Sequence, residues 1–169
     1  MSSEVMLGTL KVLVVDDSET MRSLLTALLN TMGISQVLCA HDGDAGLNLF
    51  IENQPDLVIT DGAMKPTNGY AMTRAIRSHR APDGGLSRAA EVPILMLSGH
   101  GDRQNVEQAR DDGVTDYIIK PVTAELLCER VMAAIADPIH IVETETYRGP
   151  SPRRRLVAHN AFSDPLSEN

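Results

Sequence analysis

Three aspartates, a serine and a lysine stand at the ends of short apolar runs in this sequence, and their types together fit phosphoryl chemistry. Asp16 and Asp17 follow Leu10–Val15, Asp61 follows Asp56–Thr60, Ser98 follows Val92–Leu97, and Lys120, itself followed by Pro121, ends Asp116–Ile119. Runs this short and this rich in Val, Ile and Leu read as strands buried on both faces. Carboxylates delivered side by side by such strands are partly desolvated and repel one another unless a cation joins them. Oxygen donors with no His or Cys partner favour Mg²⁺, which keeps several waters and binds through one or two carboxylates plus a phosphate. Lys120 is then the counter-charge for a phosphoryl oxygen, and the Ser98 hydroxyl can donate to another. Taken singly, Asp16, Asp17 or Asp42 also suits a helix N-cap; the set in register describes a phosphoryl site.

The segments between these residues must bring them to one edge. After Asp16-Asp17-Ser18-Glu19, residues Met21, Leu24, Leu25, Leu28, Leu29 and Met32 recur at helical spacing, and Gly33 stops the pattern. The alternation repeats, with strands predicted at Gln36–Ala40, Asp56–Thr60, Val92–Leu97 and Asp116–Ile119. Helices are predicted at Asp44–Glu52, Tyr70–Ser78, Asp102–Asp112 and Ala124–Ala136. Strands alternating with helices imply right-handed crossovers and an α/β fold, a doubly wound five-stranded parallel sheet with helices on both faces. Ligands in such sheets sit at the carboxyl ends of the strands. Two segments break the rhythm. His79–Glu91 reads as a surface excursion, and the chain beyond Pro138 reads as an extended or partly disordered tail carrying prolines and the triplet Arg153, Arg154, Arg155. A further reading has the tail fold back on the receiver or pair with a second copy, which would place Leu156 and Val157 on apolar surface.

Composition narrows the function classes. Hydrophobic residues make up 43% of the 169-residue chain, enough for a core, and with aromatics at 3% that core must be aliphatic. No apolar stretch approaches a membrane span and no signal-peptide pattern opens the chain, so a soluble cytoplasmic protein is expected. Cys39 and Cys128 lie far apart without further ligands nearby and read as small buried hydrophobes rather than a disulfide or metal site. The formal charge of −8 falls wholly on residues 1–137, so the body is unsuited to nucleic acid.

The segments VLVVDDSETMR, DLVITDGAMKPTNGY, ILMLSG and DYIIKPV resemble, in order and spacing, the four motifs of response regulator receiver domains in bacterial two-component signalling. The resemblance covers residues 9–137, leaving a lead at 1–8 and a tail at 138–169, and it implies the flavodoxin-like (βα)₅ fold. It implies that Asp61 takes a phosphoryl group from a histidine kinase, that Asp16, Asp17, Asp61 and the backbone carbonyl of Ala63 hold Mg²⁺, and that Ser98 and Lys120 contact the phosphoryl oxygens. Tyr117 matches the family's switch aromatic, whose ring turns inward when Ser98 swings toward the phosphoryl group. Pro121 matches a proline preceded by a cis bond. One departure is local: the proline after Asp61 stands at Pro66, one place late, while Gly69 keeps its expected distance.

The segment after residue 137 is too short for a DNA-binding domain, so the expected output is a protein contact, like that of single-domain chemotaxis regulators, with no membrane partner. The expected protein is a phosphoacceptor switch that catalyses its own phosphotransfer and is not a metabolic enzyme. Phosphate-sink or relay service is one alternative. Another is a receiver-like module whose Arg153, Arg154 and Arg155 bind an anion such as cyclic di-GMP, guanidinium groups being suited to phosphate and guanine edges. Acid-metal phosphatases also form aspartyl phosphates, but on a DxD arrangement that Asp16-Asp17-Ser18 does not match.

Overall fold

Alternation of buried strands with capped helices builds the architecture, seen in a computed structural model that describes residues 7–85, 87–137, 139–151 and 156–161. Strands β1 (Lys11–Val15), β2 (Gln36–Ala40), β3 (Leu57–Asp61), β4 (Ile94–Ser98) and β5 (Asp116–Ile119) run parallel in the order β2-β1-β3-β4-β5. Helices α1 (Glu19–Thr31), α2 (Gly43–Asn53), α3 (Gly69–Arg77), α4 (Arg103–Asp112) and α5 (Ala124–Ala136) connect them. Each helix starts where a short polar side chain can accept from a first-turn N–H: Ser18, Asp42, Asn68, Asp102 and Thr123 all do so. Asp42 is thus a cap, and the residues left at the strand ends are the remaining members of the polar set.

Every residue of β3 and β4 is buried, which is why these strands read as unbroken apolar runs. Alternate residues serve two cores. Val12 and Val14 meet Leu25, Leu29 and Leu127 on one face of the sheet, and Leu13 and Val15 meet Phe50, Met72 and Ile76 on the other. Register then fixes the polar edge: Val15 pairs with Thr60, Asp61 with Leu97 and Ser98 with Ile119, so Asp16, Asp61, Ser98 and Lys120 emerge side by side.

Several expectations change. The sheet has a sixth strand, β8 (Ala158–His159), parallel to β5 with Tyr117 opposite Ala158 and Ile118 opposite His159. The described part of the tail is therefore folded back on the domain, because the outer edge of β5 offers unpaired backbone groups flanked by apolar residues. An antiparallel hairpin, β6 (Ile141–Glu143) and β7 (Arg148–Pro150), precedes it and is tied down by an Arg80–Glu143 ion pair at 2.7 Å. Arg153, Arg154 and Arg155 lie outside the described residues. Cys39 and Cys128 are exposed, not buried, since Cys39 sits on edge strand β2 and Cys128 on the outer side of α5. The 79–91 segment is only partly superficial: it ends in a 3₁₀ turn at Arg88–Glu91, and Ala90 is 1% exposed.

Candidate functional site

The carboxyl ends of β1, β3 and β5 converge on one pocket of charge. Asp16 is 1% exposed and Asp61 8%, while Asp17 faces solvent. One carboxylate oxygen from each of Asp16, Asp17 and Asp61 lies within 4.8 Å of the others, a spacing one cation could span. Lys120, joined to Pro121 by a cis peptide bond, has its Nζ 3.4 Å from both Asp16 Oδ2 and Asp61 Oδ1. Asp16 is fixed further by the Ser18 N–H on Oδ1 at 2.8 Å, and its main-chain carbonyl accepts from Arg22 Nη1 at 2.7 Å. The Ala63 N–H reaches Asp61 Oδ1 at 3.4 Å, so that peptide flanks the carboxylate. Three hard oxygen donors and one lysine fit a hydrated Mg²⁺. Among the described residues this is the one group of three or more such ligands close enough to share an ion.

Burial raises the Asp61 pKa above the ordinary 3.8, and the negative charge of Asp16 raises it further, against the opposing pull of Lys120 and the Ala63 N–H. A carboxyl raised in this way holds its proton more tightly in the fold than in the unfolded chain. Its contribution to stability is complete below 3.8 and is lost as pH rises through the folded value. In metal-free buffer Asp61→Asn is therefore expected to raise Tm by a few degrees at neutral pH, a gain that shrinks as pH falls toward 3.8. Calorimetry over a pH series in chelator checks this. A lower Tm for the variant at neutral pH would contradict it.

Two glycines shape the floor. A Cβ on Gly69 would lie 2.1 Å from the Asp61 carbonyl oxygen, so only glycine lets α3 start beneath the end of β3. The Gly69 N–H also donates to the Gly62 carbonyl at 3.1 Å. At Gly99, by contrast, an added Cβ meets nothing within 4 Å, so packing alone does not demand a glycine there.

On the far side of the site, Ser98 is 5% exposed and its Oγ accepts from the His100 N–H at 3.1 Å. The His100 carbonyl in turn accepts from the Tyr117 hydroxyl. Tyr117 is fully buried, packed in a cluster with Tyr70, Met96, Ala109 and Val114 and covered by Leu156 and Ala158 of the tail. The Tyr117 ring is thus turned inward. Sequence reasoning missed the double anchoring of His100, because backbone hydrogen bonds leave no residue-type signal. It also missed the cluster of Asp116, Arg130 and His159, whose members are far apart in sequence; Arg130 Nη1 lies 3.3 Å from Asp116 Oδ2 and 2.9 Å from His159 Nε2.

This geometry can be set beside known proteins. The family model described as the response regulator receiver domain matches residues 12–132. The chain belongs to this receiver family. It is 36% identical over 123 residues to the chemotaxis protein CheY1 of Helicobacter pylori, covering 72% of this chain and 94% of that one. It is 31% identical over 122 residues to the chemotaxis protein CheY of Pseudomonas aeruginosa, covering 72% and 93%. Among solved structures it is similar to the chemotaxis protein CheY4 of Vibrio cholerae, with TM-score 0.66, 27% identity, and coverage of 74% of this chain and 98% of that one. The receiver is a phosphoacceptor switch of two-component signalling, not a metabolic enzyme. The matched region ends within α5, so β6, β7 and β8 are additions to the receiver pattern. Among the described residues no helix is long and apolar enough to cross a membrane.

Proposed function

We propose that Asp61 is the phosphoacceptor of this receiver and that the chain catalyses its own Mg²⁺-dependent phosphotransfer in the cytoplasm, with a histidine kinase as donor and a protein contact as output. The observation that carries this reading is the convergence of Asp16, Asp17, Asp61 and Lys120 at the ends of neighbouring strands, with Lys120 Nζ 3.4 Å from Asp61 Oδ1. An Asp61 oxygen attacks phosphorus in line as the bond from phosphorus to the histidine nitrogen breaks, and the imidazole leaves with the electron pair. A carboxylate is a poor nucleophile toward an anion, so the charge of the incoming group has to be offset at once. Lys120 does this from one side. Asp16, Asp17, Asp61 and the Ala63 carbonyl are the residues that would hold Mg²⁺, which supplies Lewis-acid charge neutralisation when bound.

Ser98 donates its hydroxyl proton to a phosphoryl oxygen, and Tyr117 is the group through which that contact is felt at β5. Gathering Asp16, Asp17 and Asp61 around a single lysine leaves an excess of negative charge that works against the fold, so packing does not account for the cluster.

The test is intact-mass spectrometry after incubation with acetyl phosphate and Mg²⁺. One phosphoryl adduct is expected on the unmodified chain and none on Asp61→Asn or in the presence of chelator. An adduct that survives Asp61→Asn would move the acceptor elsewhere, and no adduct on any form would reduce the domain to a passive binding module.

A further inference from the structure

The tail strand lies directly over the residue assigned above as the switch. Ala158 pairs with Tyr117 across the β5–β8 ladder, and Leu156 and Ala158 close the cluster that buries the Tyr117 ring. On the other face, Ala161 packs against the core formed by α1 and α5, and His159 lies between Asp116 Oδ1 at 3.1 Å and Arg130 Nη1 at 2.9 Å. Successive tail residues thus alternate between the α4 side and the α5 side of the sheet edge, as a paired strand must. Docked in this position, Leu156 and Ala158 pack against the cluster that holds the inward ring, so docking favours that ring position.

A continuous path joins this strand to Asp61. The Ser98 hydroxyl accepts from the His100 N–H, which leaves its own proton to donate to an oxygen carried on Asp61. A hydroxyl that donates to a charged acceptor becomes a better acceptor itself, so the His100 N–H to Ser98 bond strengthens when that oxygen is present. His100 is then held more firmly, and its carbonyl is the partner of the Tyr117 hydroxyl. Fixing Tyr117 inward fixes the floor on which the tail docks.

We propose that Leu156–Ala161 is a built-in clamp on Tyr117, so that tail docking and phosphoryl occupancy of Asp61 stabilise each other. The β5 edge is a strand-binding surface whose resident occupant is this chain's own tail, and any output partner meets α4, β8 and α5 together rather than a bare β5 edge. The inference rests on the phosphoacceptor reading above. Its sign follows from the geometry: both events favour the same inward ring. Reciprocity then requires each to change the other by one common factor. The ladder between β5 and β8 spans only two residue pairs, so the tail is held weakly enough for such coupling to show.

The experiment is hydrogen exchange on the full chain, read at the segment Leu156–Ala161, with and without Mg²⁺ and beryllofluoride, alongside a beryllofluoride titration. Exchange in that segment is expected to slow about tenfold when beryllofluoride is bound. In Leu156→Asp, which cannot pack beside Tyr117, beryllofluoride affinity is expected to fall by a similar factor. His159→Ala leaves the receiver core untouched and is expected to shift both readouts the same way by less. Asp61→Asn is expected to show no beryllofluoride effect on the tail. Bound beryllofluoride with unchanged or faster tail exchange overturns the clamp while leaving the phosphoacceptor reading intact. Failure of the unmodified chain to bind beryllofluoride overturns that reading, and the clamp with it.

Discussion

Arg77→Met is expected to destabilise the receiver by about 3 kcal/mol, lowering Tm by about 6–12 °C for a chain of this size. Arg77 is 1% exposed, an unusual place for a guanidinium that has no carboxylate against it among the described residues. Its hydrogen bonds all go to acceptors in the segments entering β4 and β5. Nε donates to the Gly113 carbonyl at 2.9 Å, Nη1 to the carbonyls of Ala90 and Val92 at 2.7 Å each, and Nη2 to Thr115 Oγ1 at 3.3 Å. Burial pushes its pKa down to about 9, which still leaves it charged at neutral pH. Removing the donors strands buried carbonyls at a cost of about 1–3 kcal/mol each, partly offset because no charge then needs to be desolvated. Arg77→Lys keeps the charge but not the planar fork and is expected to lose nearly as much. Equal chemical-denaturation midpoints for Arg77→Met and the unmodified chain would show that the fork contributes nothing net.

Gly69→Ala is expected to slow phosphorylation of the receiver by about 100-fold, the scale on which misplacing a reacting group by about 1 Å acts. A Cβ at that position would sit 2.1 Å from the Asp61 carbonyl oxygen and 2.9 Å from Thr60 Oγ1, both in the strand that carries the acceptor. Neither the start of α3 nor the end of β3 is a flexible side-chain tip, so the backbones have to part and Asp61 moves with them. Lys120, tethered through β5, does not follow, and its 3.4 Å approach to Asp61 is lost. Acetyl phosphate kinetics on Gly69→Ala, with circular dichroism to confirm the fold, tests this. Phosphorylation at the unmodified rate would mean the acceptor is positioned by some other contact.

The sequence revealed most where a local rule governs the outcome. β1, β3 and β4 were legible because burial on both faces leaves unbroken apolar stretches at Val12–Val15, Leu57–Ile59 and Ile94–Leu97, and α1 because its leucines recur at helical spacing. Boundaries slipped by a residue or two for identifiable reasons. Asp61 reads as the residue after a strand, yet it still pairs with Leu97 in the ladder. Val92 and Pro93 look like strand, but β4 starts at Ile94, after the proline that cannot donate. The acid set and Lys120 were legible because each ends an apolar run, and the parallel register brings run ends together. Arg77 was not, since a basic residue in the last turn of a helix usually points to water. Nor was β8: two residues show no period, and that strand exists because the β5 edge accepts it.

The placement of the tyrosines has an optical consequence. The chain has three tyrosines and no tryptophan, so its near-ultraviolet signal is dominated by Tyr70, Tyr117 and Tyr147. Tyr70 and Tyr117 share the cluster sealed by Leu156 and Ala158, and Tyr147 stands in the β6–β7 hairpin with its hydroxyl on the Pro150 carbonyl. The unlabelled protein thus carries its tyrosines on the side where the added strands meet the receiver. Near-ultraviolet circular dichroism follows that seam, while the far-ultraviolet signal follows the five helices. The two halves of one spectrum therefore separate loosening of the tail from melting of the domain.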